Sequence, residues 1–92
     1  MRIIIVGCGK VGSTITEQLV KEGHDVAVID RDSDVIQDIT NNFDVMGVVG
    51  NGASYSIQKE AGIEDAHLLI AVTGSDEQNL LCCLFAKKAC LL

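Results

Sequence analysis

The chain has 92 residues, 48% of them hydrophobic, and a formal net charge of −6 from seven basic and thirteen acidic side chains. Such a length fits a single domain, and the apolar content is too high for a disordered tail. No apolar run approaches the roughly 20 residues that a membrane-spanning helix needs, and no signal peptide is recognisable. The negative charge disfavours nucleic acid as a partner. We therefore expect one cytoplasmic domain without direct membrane insertion.

Short apolar runs alternate with helix-like stretches four times, which predicts the element order βαβαβαβα. The strands are predicted at residues 3–6, 26–29, 45–49 and 68–72. Runs of Ile, Val, Leu and Ala without proline are typical of a buried parallel sheet. No fifth strand is expected after the last helix. The sequence thus predicts an α/β fold with a doubly wound parallel sheet, truncated after the fourth βα unit.

The fourth helix has an unusual composition. Ser75 and Gln78 stand at the spacing of a capping box, and the acidic Asp76 and Glu77 would complement the dipole of the first turn. Residues 79–86 are apolar all round rather than along one stripe. We therefore expect this helix to be buried on two sides, with a partner subunit or a further segment covering the second side.

A glycine-rich loop follows the first predicted strand and opens the first helix. It reads Gly7, Cys8, Gly9, Lys10, Val11, Gly12, which is the pattern G-x-G-x-x-G. In a Rossmann-like fold the first glycine makes the tight turn, the second lets the backbone approach a pyrophosphate, and the third lets the helix pack closely. The amide groups at the helix N-terminus then face the anion, so that no lysine is required. The loop predicts a dinucleotide or adenine-nucleotide site.

An acidic residue supports this interpretation. Asp30 ends the second predicted strand, near the offset at which a carboxylate binds the adenosine ribose. The same charge would repel a 2′-phosphate, which favours NAD(H) over NADP(H), although the neighbouring Arg31 could accommodate that phosphate. ATP and ADP carry the same free ribose hydroxyls and stay open as ligands.

Ligands of doubly wound sheets lie beyond the carboxyl ends of the strands, at the point where the strand order reverses. Two further loops should therefore border the crevice, one with Asn51 and Gly52 and one with Thr73 and Gly74. Asn51 could reach the adenine or simply belong to a flexible turn. Cys8, near a helix N-terminus, could be a redox-sensitive thiolate or a packed small residue. No catalytic or metal-binding constellation is recognised.

Several segments resemble the N-terminal nucleotide-binding part of the TrkA family of potassium uptake regulatory proteins, also called RCK or KTN domains. They are MRIIIVGCGKVG, VAVIDRD, VVGNGAS and KEAGIEDAHLLIAVTGSDEQNLLCCLFAKK, and together they span nearly the whole chain. The resemblance implies that residues 1–92 are the N-terminal part of such a domain. By position it assigns nucleotide contacts to Gly7, Cys8, Gly9, Lys10, Val11, Asp30, Arg31, Gly52, Thr73 and Gly74.

The same resemblance implies a regulatory subunit at the membrane periphery, bound to a potassium-translocating membrane protein and assembled as a homodimer or a higher homo-oligomer. It also implies that NAD(H) or an adenine nucleotide gates ion flow by a conformational change, without catalysis. Two other functions stay open from the residues alone. One is the cofactor-binding fragment of an NAD-dependent dehydrogenase, and the other is an oligomerisation module that binds no nucleotide.

Overall fold

The computed structural model describes residues 1–86 in full and residues 89–91 as backbone. Strands and helices alternate along the chain as the sequence predicts. The elements are β1 (Arg2–Val6), α1 (Lys10–Lys21), β2 (Asp25–Asp30), α2 (Ser33–Asn42), β3 (Met46–Val49), α3 (Tyr55–Glu60), a 3₁₀ turn (Ile63–Asp65), β4 (Leu68–Ala71), α4 (Asp76–Ala86) and β5 (Ala89–Leu91). Across the described residues, no helix is both long and apolar enough to cross a membrane.

The strands form one parallel sheet in the order β3, β2, β1, β4, β5. The order reverses between β1 and β4, where Ile3 of β1 pairs with Val26 on one side and Leu68 on the other. The predicted Rossmann-like, doubly wound sheet is therefore confirmed. The expected absence of a fifth strand is wrong, since β5 pairs with β4 at the sheet edge. A segment of three residues is too short to show an alternation in the sequence, and its strand geometry depends on this pairing.

The three central strands β1, β2 and β4 are buried on both faces, which is why they are nearly continuous apolar runs. Alternate residues of each strand point to opposite faces, so the strands feed two separate cores. One core joins the sheet to α1 and α2, through Ile3, Ile5, Val26, Val28, Ile36 and Ile39. The other joins it to α3, the 3₁₀ turn and α4, through Ile4, Val6, Ile29, Ile63, Leu69 and Cys82.

Helix α4 begins where the sequence predicts. The Ser75 hydroxyl accepts a hydrogen bond from the Gln78 backbone N–H at 3.2 Å, which is the cap expected at this spacing. One side of the helix is buried against the sheet. The other side is exposed and carries four large apolar side chains, namely Leu80, Leu81, Leu84 and Phe85, which are 41–61% exposed.

Candidate functional site

A cavity of about 580 Å³ lies beyond the carboxyl ends of the strands, at the point where the strand order reverses. Its volume falls within the usual range for small-molecule sites, roughly 300–1,000 Å³. It is lined by Val6, Gly7, Gly9, Ile29, Asp30, Arg31, Gly50, Gly52, Val72, Thr73, Gly74, Ser75 and Gln78. The sequence predicts a crevice at this edge of the sheet, and the cavity lies there.

Two glycines of the first loop are required by packing. Gly7 has φ of +99°, and a Cβ atom there would lie 2.9 Å from the carbonyl oxygen of Val72. At Gly12, a Cβ atom would lie 1.9 Å from the carbonyl oxygen of Gly7. Both contacts involve backbone atoms that cannot move aside cheaply. These two glycines are therefore explained by the turn and by the close approach of α1.

Gly9 has no such explanation. It lines the cavity, its φ of −69° suits any residue, and a Cβ atom there would meet no heavy atom within 4 Å. The packing of the described residues therefore leaves this position open to a side chain. The absence of a side chain keeps the backbone at the mouth of α1 accessible to a molecule in the cavity.

The N-terminus of α1 is not capped by a side chain. Its N-cap residue is Gly9, and its first turn contains no acidic residue. Helix α2 differs, because the side chain of its N-cap residue Asp32 accepts a hydrogen bond from the Asp34 N–H at 2.9 Å. The first N–H groups of a helix have no partner within the helix, and they carry the positive end of its dipole. The α1 terminus thus offers donors for an anion at the cavity wall.

The carboxylate of Asp30 faces the glycine-rich loop. Its Oδ2 accepts a hydrogen bond from the Cys8 backbone N–H at 2.8 Å, and its Oδ1 accepts one from the Asp32 N–H at 2.9 Å. A carboxylate has about four lone-pair sites, so acceptor capacity is left for hydroxyl groups of a ligand. Arg31 lines the same wall of the cavity and adds a positive charge.

Cys8 lies behind the loop rather than in the cavity. Its side chain is 3% exposed, and its Sγ is 3.9 Å from the carbonyl oxygen of Ile29. Burial, together with the nearby charge of Asp30, raises the pKa of the thiol to about 12. The thiol is therefore neutral at physiological pH. Of the two alternatives for Cys8, a packed small residue agrees with this environment and a reactive thiolate does not.

The loop between β4 and α4 is held by a buried asparagine. The Asn79 side chain is nearly inaccessible, and its Oδ1 accepts hydrogen bonds from the Thr73 N–H at 2.9 Å and from the Thr73 hydroxyl at 2.6 Å. The Thr73 hydroxyl in turn accepts a hydrogen bond from the Ser75 N–H at 3.2 Å. These bonds fix the wall of the cavity that Thr73, Gly74 and Ser75 provide.

On the opposite side of the cavity, the Asn51 side chain is held by two hydrogen bonds within the protein. Its Oδ1 accepts a hydrogen bond from the Ala53 N–H at 2.9 Å, which closes a turn, and another from the Gln78 side chain. Gln78 lines the cavity, although the sequence indicates only a capping role for it. In a complete capping box its amide would return to the backbone of Ser75, whereas here it reaches a different loop.

Seven of the twelve residues predicted as ligand contacts line the cavity, namely Gly7, Gly9, Asp30, Arg31, Gly52, Thr73 and Gly74. Five do not line it, namely Cys8, Lys10, Val11, Gly12 and Asn51. Lys10 and Val11 begin α1 with exposed side chains, so only their backbone N–H groups face the helix mouth. Six lining residues were not among these twelve candidates, namely Val6, Ile29, Gly50, Val72, Ser75 and Gln78.

Residues 3–91 match the model of the TrkA-N domain. The chain belongs to the TrkA-N family. It is 42% identical over 86 residues to the Trk system potassium uptake protein TrkA of Halomonas elongata, covering 94% of this chain and 19% of that protein. It is 39% identical over 88 residues to the protein of the same name from Streptomyces coelicolor, covering 96% and 40%. The chain therefore spans a fifth to two fifths of these TrkA-N relatives.

Solved structures of similar fold include the TrkA-N domain of the inner membrane protein ybaL from Escherichia coli. It superposes with a TM-score of 0.81 at 26% identity, over 96% of this chain and 65% of that one. The Kef C-terminal domain of Shewanella denitrificans in its AMP-bound form has a TM-score of 0.82 at 22% identity, over 95% and 52%. The GsuK channel bound to NAD has a TM-score of 0.80 at 21% identity, over 97% and 16%.

Proposed function

We propose that this chain is a nucleotide-sensing module that regulates a potassium-translocating membrane protein, with NAD(H) as its ligand and ATP or ADP as alternatives. The observation that carries the proposal is the 2.8 Å hydrogen bond from the Cys8 N–H to Asp30. It holds a carboxylate suited to a ribose directly beside a loop suited to a diphosphate. Both groups border one cavity of about 580 Å³.

The proposed ligand position follows the chemistry of the two walls. The diphosphate lies at the uncapped N-terminus of α1, over the open position at Gly9, where backbone N–H groups and the helix dipole favour an anion. The adenosine ribose lies at Asp30 and Arg31. The distal half of a dinucleotide extends toward Thr73 and Gly74, whose loop is fixed by Asn79. The proposal involves binding without a chemical step.

The charge of Asp30 underlies the proposed preference for NAD(H). A 2′-phosphate about 4 Å from this carboxylate would be repelled by about 1–4 kcal/mol, for effective dielectric constants of about 80 down to 20. Arg31, on the same wall, would recover part of that energy for NADP(H). Because the Asp30 carboxylate is fixed by hydrogen bonds from the Cys8 N–H of the loop and from the Asp32 N–H, it cannot turn away from the added phosphate without losing both.

The relatives support the potassium-related part of the proposal. Both curated relatives are named Trk system potassium uptake proteins. The GsuK channel structure contains NAD, and the Kef domain structure contains AMP. We carry adenine-nucleotide binding and association with a potassium transporter over to this chain, which would then lie on the cytoplasmic side of the membrane, peripheral to its transporter.

We also propose that the chain self-associates through α4. The exposed side of this helix carries Leu80, Leu81, Leu84 and Phe85, and each of these side chains is at least 41% exposed. Large apolar side chains grouped on one helix face are typical of interaction surfaces. A second copy that covers this face would form a homodimer, the smallest of the proposed homo-oligomers.

Calorimetric titration with NADH, NADPH, ATP and ADP tests the nucleotide proposal. In Asp30→Asn the side chain keeps its shape and one acceptor oxygen for the Cys8 N–H, but it loses its charge and the acceptor for the Asp32 N–H. We expect NADH to bind about 1–2 kcal/mol more weakly, which is the contribution of a charge-assisted hydrogen bond, and the preference over NADPH to shrink. Asp38→Asn, on the exposed surface of α2, is the matched control. Unchanged affinity in Asp30→Asn, or no nucleotide binding in the unmodified chain, would contradict the proposal.

A further inference from the structure

Three side-chain amides connect α4 to the two walls of the cavity. We call Gln58, Gln78 and Asn79 the amide clasp. Gln78 and Asn79 belong to the first turn of α4, and Gln58 belongs to α3. Their partners lie in the loop after β3, in the loop after β4 and, for Gln58, also in α4, and both loops line the cavity.

The first connection runs from α4 to the loop after β4. The Asn79 Oδ1 accepts hydrogen bonds from the N–H and the hydroxyl of Thr73, and its Nδ2 donates to the carbonyl oxygen of Thr73 at 3.3 Å. One buried side chain thereby satisfies three polar groups of a single residue. This loop therefore cannot shift relative to the start of α4 without breaking several hydrogen bonds at once.

The second connection runs from α4 to the loop after β3, and it consists of a surface contact and a buried contact. At the surface, Gln78 donates to Asn51, 27 positions away in the sequence. In the interior, Gln58 has no exposed surface, and its Nε2 donates both to the Gly52 carbonyl oxygen at 2.7 Å and to the Cys82 carbonyl oxygen at 3.0 Å. Gly52 lines the cavity, and Cys82 lies in the middle of α4.

The buried part of this connection resists partial opening. Both hydrogens of the Gln58 amide are used, and its Oε1 has no hydrogen-bond partner among the described residues. If α4 moved away from the loop after β3, one donor would be left unpaired in the interior, which is costly. The loop and the helix therefore move together, and the opposite side of that helix is the exposed apolar surface.

We propose that the amide clasp makes the position of α4 depend on whether the cavity is occupied, with Gln58, Gln78 and Asn79 as positioning residues. The proposal rests on the nucleotide site proposed above. A ligand that draws the two walls together moves the clasp, and the clasp moves α4 with its apolar surface. Because coupling between two sites is reciprocal, contacts made by α4 would change the nucleotide affinity by the same factor.

Hydrogen exchange of the backbone amides tests this coupling, with ADP and NADH as probes. In the unmodified chain, we expect saturating ADP to slow exchange in residues 73–75 and also in residues 80–86, by about threefold or more. Because Gln78 lines the cavity, exchange in Gln78→Ala is measured at an ADP concentration that saturates this variant, whatever its affinity. The slowing in residues 80–86 should shrink or disappear, while the slowing in residues 73–75 persists.

Gln18→Ala is the matched control, since Gln18 is an exposed glutamine of α1 that donates one hydrogen bond to Glu22. It should leave both effects of ADP unchanged. Gln58→Met removes the interior connection at similar side-chain length, and it should also abolish the effect in residues 80–86. The melting temperature of each variant, measured without ligand, identifies any loss of folding, and Gln78→Ala, at the surface, keeps the test valid if Gln58→Met unfolds.

The outcomes separate the two proposals. If ADP and NADH do not bind the unmodified chain, the proposed nucleotide site is wrong, and the coupling is wrong with it. If they bind but exchange in residues 80–86 of the unmodified chain does not respond, the coupling is wrong and the nucleotide site stands. The same conclusion follows if Gln78→Ala and Gln58→Met respond as strongly as the unmodified chain. A response that is lost in both variants and kept in Gln18→Ala supports the coupling.

Discussion

Replacing either of two glycines of the first loop by alanine should have a different effect. At Gly12 we expect a loss of stability, and at Gly9 a loss of nucleotide affinity. In Gly12→Ala the added methyl group would lie 1.9 Å from the Gly7 carbonyl oxygen, so α1 must move away from the strand. Overpacking of this kind costs about 2–3 kcal/mol. For a domain of this size, that corresponds to a fall in melting temperature of about 8–24 °C.

In Gly9→Ala the methyl group meets no heavy atom within 4 Å, and the backbone already has a φ that alanine adopts. Alanine is a poorer N-cap than glycine, but it also lowers the entropy of the unfolded chain. These two effects oppose each other, and we expect the melting temperature to change by less than about 4 °C, which corresponds to less than about 1 kcal/mol. The methyl group would instead occupy the space proposed for the diphosphate.

The expected result is a reversal of the order of the two variants between two assays. Thermal unfolding followed by circular dichroism should rank Gly12→Ala as far less stable than Gly9→Ala. Titration with NADH should show at least about tenfold weaker binding in Gly9→Ala, equivalent to about 1.4 kcal/mol. A stable Gly9→Ala variant that binds NADH with unchanged affinity would refute the diphosphate position, and a fully stable Gly12→Ala would refute the packing argument.

Two further predictions concern a thiol and the surface of α4. Because the pKa of Cys8 rises from 9.0 to about 12 on folding, the folded state favours the neutral thiol, and the contribution of this thiol to stability should be complete below pH 9 and fall between pH 9 and 12. Iodoacetamide at pH 8 should therefore spare Cys8 in the folded chain, which peptide mass spectrometry would detect. Leu84→Glu, on the exposed side of α4, should convert dimers to monomers in analytical ultracentrifugation, while Glu17→Lys on α1 should not; a monomeric unmodified chain would contradict self-association.

The local sequence pattern contains most of the fold. The four predicted strands match β1 to β4 within about one residue at each end, because buried parallel strands are continuous apolar runs bounded by turns. Strand β5 could not be predicted in the same way. It has three residues, and it becomes a strand by pairing with β4, which is a contact between distant parts of the chain.

In the candidate site, too, features set by local sequence are predictable and features set by contacts between distant parts of the chain are not. The glycine-rich loop and Asp30 are recognisable because their positions relative to β1 and β2 are set by local geometry. Gln78 illustrates the limit, since its spacing from Ser75 indicates a cap, whereas its side chain reaches a loop 27 positions earlier. Gln58 is a second example, because a polar residue on a short helix suggests exposure, whereas here it is fully buried and donates to the carbonyl oxygens of Gly52 and Cys82.

The composition of the cavity wall has a consequence for how this fold tolerates sequence change. Five of the lining residues are glycines, and much of the remaining wall is formed by the ends of strands. The shape of the cavity is therefore set mainly by the path of the main chain, and Asp30 and a few small polar groups provide its side-chain chemistry. Mutations elsewhere can accumulate without erasing the hollow as long as the sheet keeps its order. Selection on ligand choice would then act on the few polar side chains of the wall, Asp30 among them, while the glycines and the two cores preserve its shape.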